Sequence, residues 1–168
     1  MNVIFHLTTS FTIAVVSIRS VKKISGEKIS KTRLLFSFLL SVISHGILDL
    51  TPHCYPINSR ADAIIGSLLV LSCILLVAEP YKLLFSLCIA GSIFPDLIDL
   101  SPKILNKYLN LSLPIFQNIF PWHWKSLSGS IYTNSCQTSN IIHVALLLFI
   151  LTTLILNRKI LKLIFHHK

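Results

Sequence analysis

Ser44-His45-Gly46-Ile47-Leu48-Asp49-Leu50-Thr51-Pro52-His53 sets two histidines, an aspartate and a proline into a stretch that is otherwise largely apolar. In a helix His45 and Asp49 stand at i and i+4 and share one face, one turn apart. A second group, Asp96 and Asp99, is spaced i, i+3 at the end of another apolar run and likewise faces one way. Imidazole and carboxylate together, without clustered cysteines, suit a nitrogen/oxygen site for a divalent ion, Zn²⁺ first and Mn²⁺ or Fe²⁺ next. Helical bundles build such sites from acids and histidines projected inward. A metal with an open position activates water, so the chemistry expected is hydrolysis.

These side chains need elements that hold them in an apolar setting. The 168 residues are 53% hydrophobic and 12% charged, with a mean hydropathy of +0.74. Soluble domains average about 25% charged residues. The class expected is a single integral membrane domain over residues 1–168, all-α, a polytopic bundle of about five transmembrane helices. Apolar runs place the spans at 3–20, 34–51, 61–78, 83–100 and 140–157. The connection Glu79-Pro80-Tyr81-Lys82 reads as a tight turn between the third and fourth helices. Residues 101–139, interrupted by Pro102, Pro114, Pro121 and Gly129, are too polar to span and read as an extracytoplasmic segment with interfacial helices. Trp122 and Trp124, on either side of His123, suit the headgroup level.

The net charge of +9 would suggest nucleic acid as a partner in a soluble protein. Here the basic residues gather at the ends of apolar runs and read instead as topology determinants, so membrane lipids are the expected partners and nucleic acid is not. Arg19, Lys22, Lys23, Lys28, Lys31 and Arg33 oppose the single acid Glu27, and Arg158, Lys159, Lys162 and Lys168 close the chain. Both clusters point to an N-terminus outside and a C-terminus in the cytoplasm. No basic residue precedes the first apolar run, so that run reads as a retained helix rather than a cleaved signal.

With that topology, His45 lies about 18 Å above Arg33 along the second helix and Asp49 one turn higher. His6, Asp62, Asp96, Asp99, His123 and His143 all fall at the same outer level; only the tail His166-His167 does not. Ionisable groups inside a span are costly and usually functional. His6, His45, Asp49, Asp96, Asp99 and His143 are therefore the candidate metal ligands, with Asp99 and His123 as candidate catalytic groups. Each has a plainer reading. Asp62 suits a helix-start acid or a partner of Arg60, Asp99 a cap on the next segment, and His123 an interfacial residue. His53 reads as a neighbour of the ligands. Cys73 and Cys88 fall inside helices, whereas Cys54 and Cys136 both map outside and could form a disulfide.

At His6, at Ser44-His45-Gly46-Ile47-Leu48-Asp49 with Thr51-Pro52-His53, and at Gly91-Ser92-Ile93-Phe94-Pro95-Asp96-Leu97-Ile98-Asp99, the chain resembles the small bacterial inner-membrane proteins described as membrane-bound metal-dependent hydrolases. That group's His-Arg-Gly-x-Thr-His-Ser element has no counterpart here, His123 and His143 being loose substitutes. The resemblance implies a helical membrane bundle in the inner membrane with a His/Asp metal centre. It carries over His6, His45, Asp49, Asp96 and Asp99 as ligands. The function expected is hydrolysis of a lipid-phase or headgroup ester or phosphoester. The alternative is a non-catalytic structural or assembly protein with a metal-stabilised fold. A transport relay is disfavoured by the apolar inner halves of the helices, such as 34–42 and 146–156.

Overall fold

In the computed structural model, which describes residues 1–24, 29–115, 118–132 and 135–165, the chain is an all-α bundle. Its order is α1 (Val3–Ile24), α2 (Lys31–Leu50), α3 (Ser59–Leu76), α4 (Glu79–Asp99), α5 (Ser101–Leu109), a 3-10 turn at Pro121–His123, α6 (Gln137–Leu156) and α7 (Arg158–Ile164). Glu27, Lys28, His166, His167 and Lys168 lie outside the described residues.

Among the described residues four helices, α2, α3, α4 and α6, are long and apolar enough to cross a membrane, which is compatible with a membrane protein; the apolar part of α1, Val3–Arg19, is shorter. The five expected runs are all helical, yet α1 differs from the rest. It packs against α2, α3, α4, α6 and α7 and forms the centre of the bundle. Its composition allows this, because Thr8, Ser10 and Thr12 return their hydroxyls to carbonyls of the preceding turn and so enter the interior satisfied. α3 and α6, by contrast, turn Ile64, Leu68, Leu71, Leu75, Leu147, Leu148, Phe149 and Leu151 outward. Contiguous exposed apolar faces of this kind belong against lipid or another apolar surface.

Local sequence sets the helix starts. Ser30 caps α2 by accepting from the Arg33 amide, and Asn58 caps α3 by accepting from that of Ala61. The expected turn at Glu79–Lys82 is instead the first turn of α4, and the reversal falls at Val77 and Ala78. Pro80 suits a first helical turn, where a missing N–H leaves no carbonyl unpaired. α1 is capped from elsewhere: the Asp62 carboxylate accepts from the amides of Val3, at 2.7 Å, and Ile4, at 3.1 Å. Asp62 is thus a cap for a different helix rather than a partner of Arg60. An acid near a helix N-terminus is favoured by the unpaired amides and the macrodipole.

The two ends of the bundle differ in character. At one, Arg19 donates to Asn157 and Arg33 to the Ser17 carbonyl, and α7 docks through the Ala78 amide on the Ile164 carbonyl. Beneath lies a core of Ala14, Val15, Ile18, Val77, Leu84, Phe85, Cys88 and Ile164. At the other end stand the starts of α1 and α6, the ends of α2 and α4, and the loop from 110 to 136. α2 and α4 approach closely on the way there, because a Cβ on Gly91 would lie 2.6 Å from the Phe38 carbonyl oxygen. A disulfide, Cys54–Cys136, with Cα atoms 5.9 Å apart, ties the loop after α2 to the start of α6.

Candidate metal centre

α2 ends with His45 and Asp49 one turn apart, facing α4, and the close α2–α4 contact brings Asp96 opposite. His123, from the 3-10 turn, closes the group from above. One ligand atom each from His45, Asp49, Asp96 and His123 lies within 4.8 Å of all the others, and this group could hold a metal ion. His45 Nε2 is 3.1 Å from Asp49 Oδ2 and 3.6 Å from Asp96 Oδ1. His123 Nε2 is 3.4 Å from Asp49 Oδ2 and 3.2 Å from Asp96 Oδ1.

The hydrogen bonds behind the two imidazoles decide what this geometry means. His45 Nδ1 lies 2.5 Å from the Ser92 carbonyl oxygen, which can only accept, so Nδ1 carries the proton. His123 Nδ1 lies 2.9 Å from Asp99 Oδ2 and donates to it. Both Nε2 atoms, 3.4 Å apart, therefore point lone pairs at each other and at two carboxylates. Four acceptors converging in a largely buried space repel one another unless a cation stands among them. The donor set fits the ion expected: two imidazoles and two carboxylates, with the imidazole backs held by a carbonyl and a carboxylate, the arrangement that orients metal-binding histidines.

The same acceptors favour a proton on His123. Burial works against a charged His123, but Asp49, Asp96 and Asp99 outweigh it and raise the imidazole to about 10. A metal ion must displace that proton. Apparent metal affinity should therefore fall about tenfold for each pH unit below the raised value, from this one proton. Isothermal titration with Zn²⁺ in buffers of different ionisation enthalpy, between pH 6 and 8, measures the proton released. Release of none would contradict the assignment.

The six expected ligands divide. His45, Asp49 and Asp96 enter the group. Asp99 does not, because its carboxylate is committed to the amides of Ile119 and Phe120 and to His123 Nδ1. At i+3 from Asp96 it shares that helix face but sits a turn nearer the loop, where it holds His123 and the backbone of the turn. His6 stacks on His45 with ring centroids 4.0 Å apart and places Nε2 3.2 Å from Asp49 Oδ1, on the far side of that carboxylate from the group. His143 is not brought in; it stacks on Phe5 and faces Ser139 on its own helix. His123, a candidate catalytic group from sequence and there as readily an interfacial residue as a ligand, joins the group.

Trp122 is partly buried. It packs over the end of α2, stacked on Phe120, and Gly46 leaves the space it fills. A Cβ on Gly46 would lie 2.6 Å from Trp122 Cε3. Gly46→Ala should displace Trp122 and with it the adjacent His123, lowering metal affinity roughly 10- to 100-fold, the scale of changes in groups that orient ligands. Unchanged affinity would show that the turn does not depend on this contact. Trp124 remains half exposed, its indole N–H donating to the Asn118 carbonyl.

Beside the group opens a cavity of about 560 Å³, lined by Asp49, Asp96 and His123 on one side and by Tyr55, Ser128 and Ser130 among others. It is large enough for a small polar headgroup. Comparison of the chain with protein-family models, with curated proteins and with solved structures returns no match.

Proposed function

We propose that the protein is a membrane-embedded, metal-dependent hydrolase acting on a lipid-phase or headgroup ester or phosphoester. The observation that carries this is the convergence of two bare imidazole nitrogens and two carboxylates on the wall of an open polar cavity. Zn²⁺, or Mn²⁺ or Fe²⁺, held by His45, Asp49, Asp96 and His123 would supply a Lewis acid that acidifies water and polarises the scissile group. The chain's own residues fix the rest. Ser92 and Asp99 hold the two imidazoles in the tautomer that binds metal. Asp49 spans both histidines. Trp122 and Phe120 pack beside the two imidazoles.

The same reading places the site at the extracytoplasmic face of a cell membrane, the inner membrane in a bacterium, with the N-terminus outside and the C-terminus in the cytoplasm. Arg19, Arg33 and α7 lie at the opposite end of the bundle from the metal group, as the excess of basic residues in cytoplasmic loops requires. The Cys54–Cys136 disulfide lies at the site end and suits an oxidising compartment. The residues at both motifs support the likeness to membrane-bound metal-dependent hydrolases.

The test is hydrolysis by detergent-purified protein of a panel of phospholipids and isoprenoid phosphates, with and without added Zn²⁺ or Mn²⁺. Turnover that appears with metal, disappears with chelator and is absent in Asp96→Ala supports the reading. A metal-loaded protein that turns over no member of the panel, while its variants lose only stability, would favour a structural role for the centre.

A further inference from the structure

Across the same cavity, outside the metal group, lies a second constellation. His53 is wholly buried, and its Nδ1 donates to the Thr51 carbonyl at 2.8 Å, which leaves Nε2 as an acceptor. Ser130 Oγ lies 3.2 Å from that Nε2, and Tyr55 Oη lies 3.3 Å from it and 2.8 Å from Ser130 Oγ. Ser128 Oγ is 2.9 Å from Ser130 Oγ. The backbone fixes the pair: the His53 amide donates to Gly129, the Ile131 amide donates to His53, and a Cβ on Gly129 would overlap the Thr51 carbonyl. This parallel bridge sets His53 and Ser130 side by side. A hydroxyl at a bare imidazole nitrogen, with the other nitrogen held by a third group, is the arrangement of an activated nucleophile.

We propose that Ser130 is a nucleophile with His53 as its general base, giving the cavity a serine-based ester-cleaving site that works without metal. Ser130 Oγ bonds to the carbonyl carbon of a carboxylic ester while its proton passes to His53 Nε2. The adduct collapses with cleavage of the carbon–oxygen bond to the alcohol, which takes that proton and leaves. Water then attacks the acyl-serine, gives a proton to Nε2, and releases the carboxylic acid as Oγ is reprotonated. Tyr55 Oη, 2.8 Å from Oγ, has a hydroxyl proton that can be turned to the developing oxyanion.

The probe is diisopropyl fluorophosphate, whose phosphorus bonds to a reactive serine oxygen as fluoride leaves and the serine proton goes to the base. Detergent-purified protein is treated with and without EDTA, and peptide mapping locates the adduct. The expected result is a single adduct on Ser130, formed at the same rate in EDTA, absent in Ser130→Ala and at least about 100-fold slower in His53→Gln, the scale of a lost general base. Because His53→Gln could fail to fold, wild-type protein unfolded in detergent is the second comparison, and its Ser130 should not react. No adduct on Ser130 in the folded wild type overturns the proposal, as does equal labelling of the unfolded chain. Independence from EDTA separates this result from success or failure of the metal site.

Discussion

Asp49→Asn protein should retain less than about one hundredth of the wild-type affinity for Zn²⁺ and should also be less stable when free of metal. The side chain keeps its shape, so the change isolates its charge. Asp49 Oδ2 is the nearest acceptor to His45 Nε2 and also faces His123, while Oδ1 accepts from the Met1 amino nitrogen and faces His6. Removing one partner of a buried, multiply paired charge costs about 3–5 kcal/mol. The metal effect follows from losing one of four ligands, the stability effect from leaving the buried nitrogen groups of Met1, His6, His45 and His123 without their shared carboxylate. Titration with Zn²⁺ beside thermal unfolding of the chelated protein separates them. Loss of stability with unchanged affinity would mean that Asp49 serves the fold alone.

Reducing or removing the Cys54–Cys136 disulfide should have a comparable effect on stability. The bridge joins positions 82 residues apart, and closing a loop of that size stabilises by about 4.5 kcal/mol in the chain-entropy account. It also holds the loop that carries His53, since the Cys54 amide donates to Ser139 Oγ at the start of α6. Cys54→Ser should therefore lower the unfolding midpoint markedly, and dithiothreitol should do the same to wild type and nothing further to the variant. An unchanged midpoint in Cys54→Ser would show that the α2–α3 loop is held by its hydrogen bonds alone.

Hydropathy and helix periodicity made the bundle legible, because apolar runs bounded by charge and proline have few other solutions. The pairing of His45 with Asp49 followed from i, i+4 spacing within one helix. What sequence left unread are relations between segments distant in the chain. Asp62 caps α1 from α3, and nothing local distinguishes it from an ordinary helix-start acid. His123 enters the metal group only because Asp99 binds the backbone of its loop, and because Gly46 makes room for the tryptophan beside it. Equal outer level along the membrane normal placed His143 with the ligands. Level says nothing about which way a helix faces, and α6 turns His143 toward Phe5. Ser130 drew no attention because the signal, a hydroxyl beside a tautomer-locked imidazole, exists only after the loop folds back on His53.

Binding of a divalent metal by His45, Asp49, Asp96 and His123 is decided by elemental analysis of purified protein. Protein prepared without chelator, wild type beside His45→Ala, is assayed for Zn, Mn and Fe per polypeptide. Close to one equivalent of a single metal is expected in the wild type and almost none in the variant, with both proteins folded. Wild-type protein that carries no metal and takes none up on incubation with Zn²⁺, Mn²⁺ or Fe²⁺ would contradict the assignment.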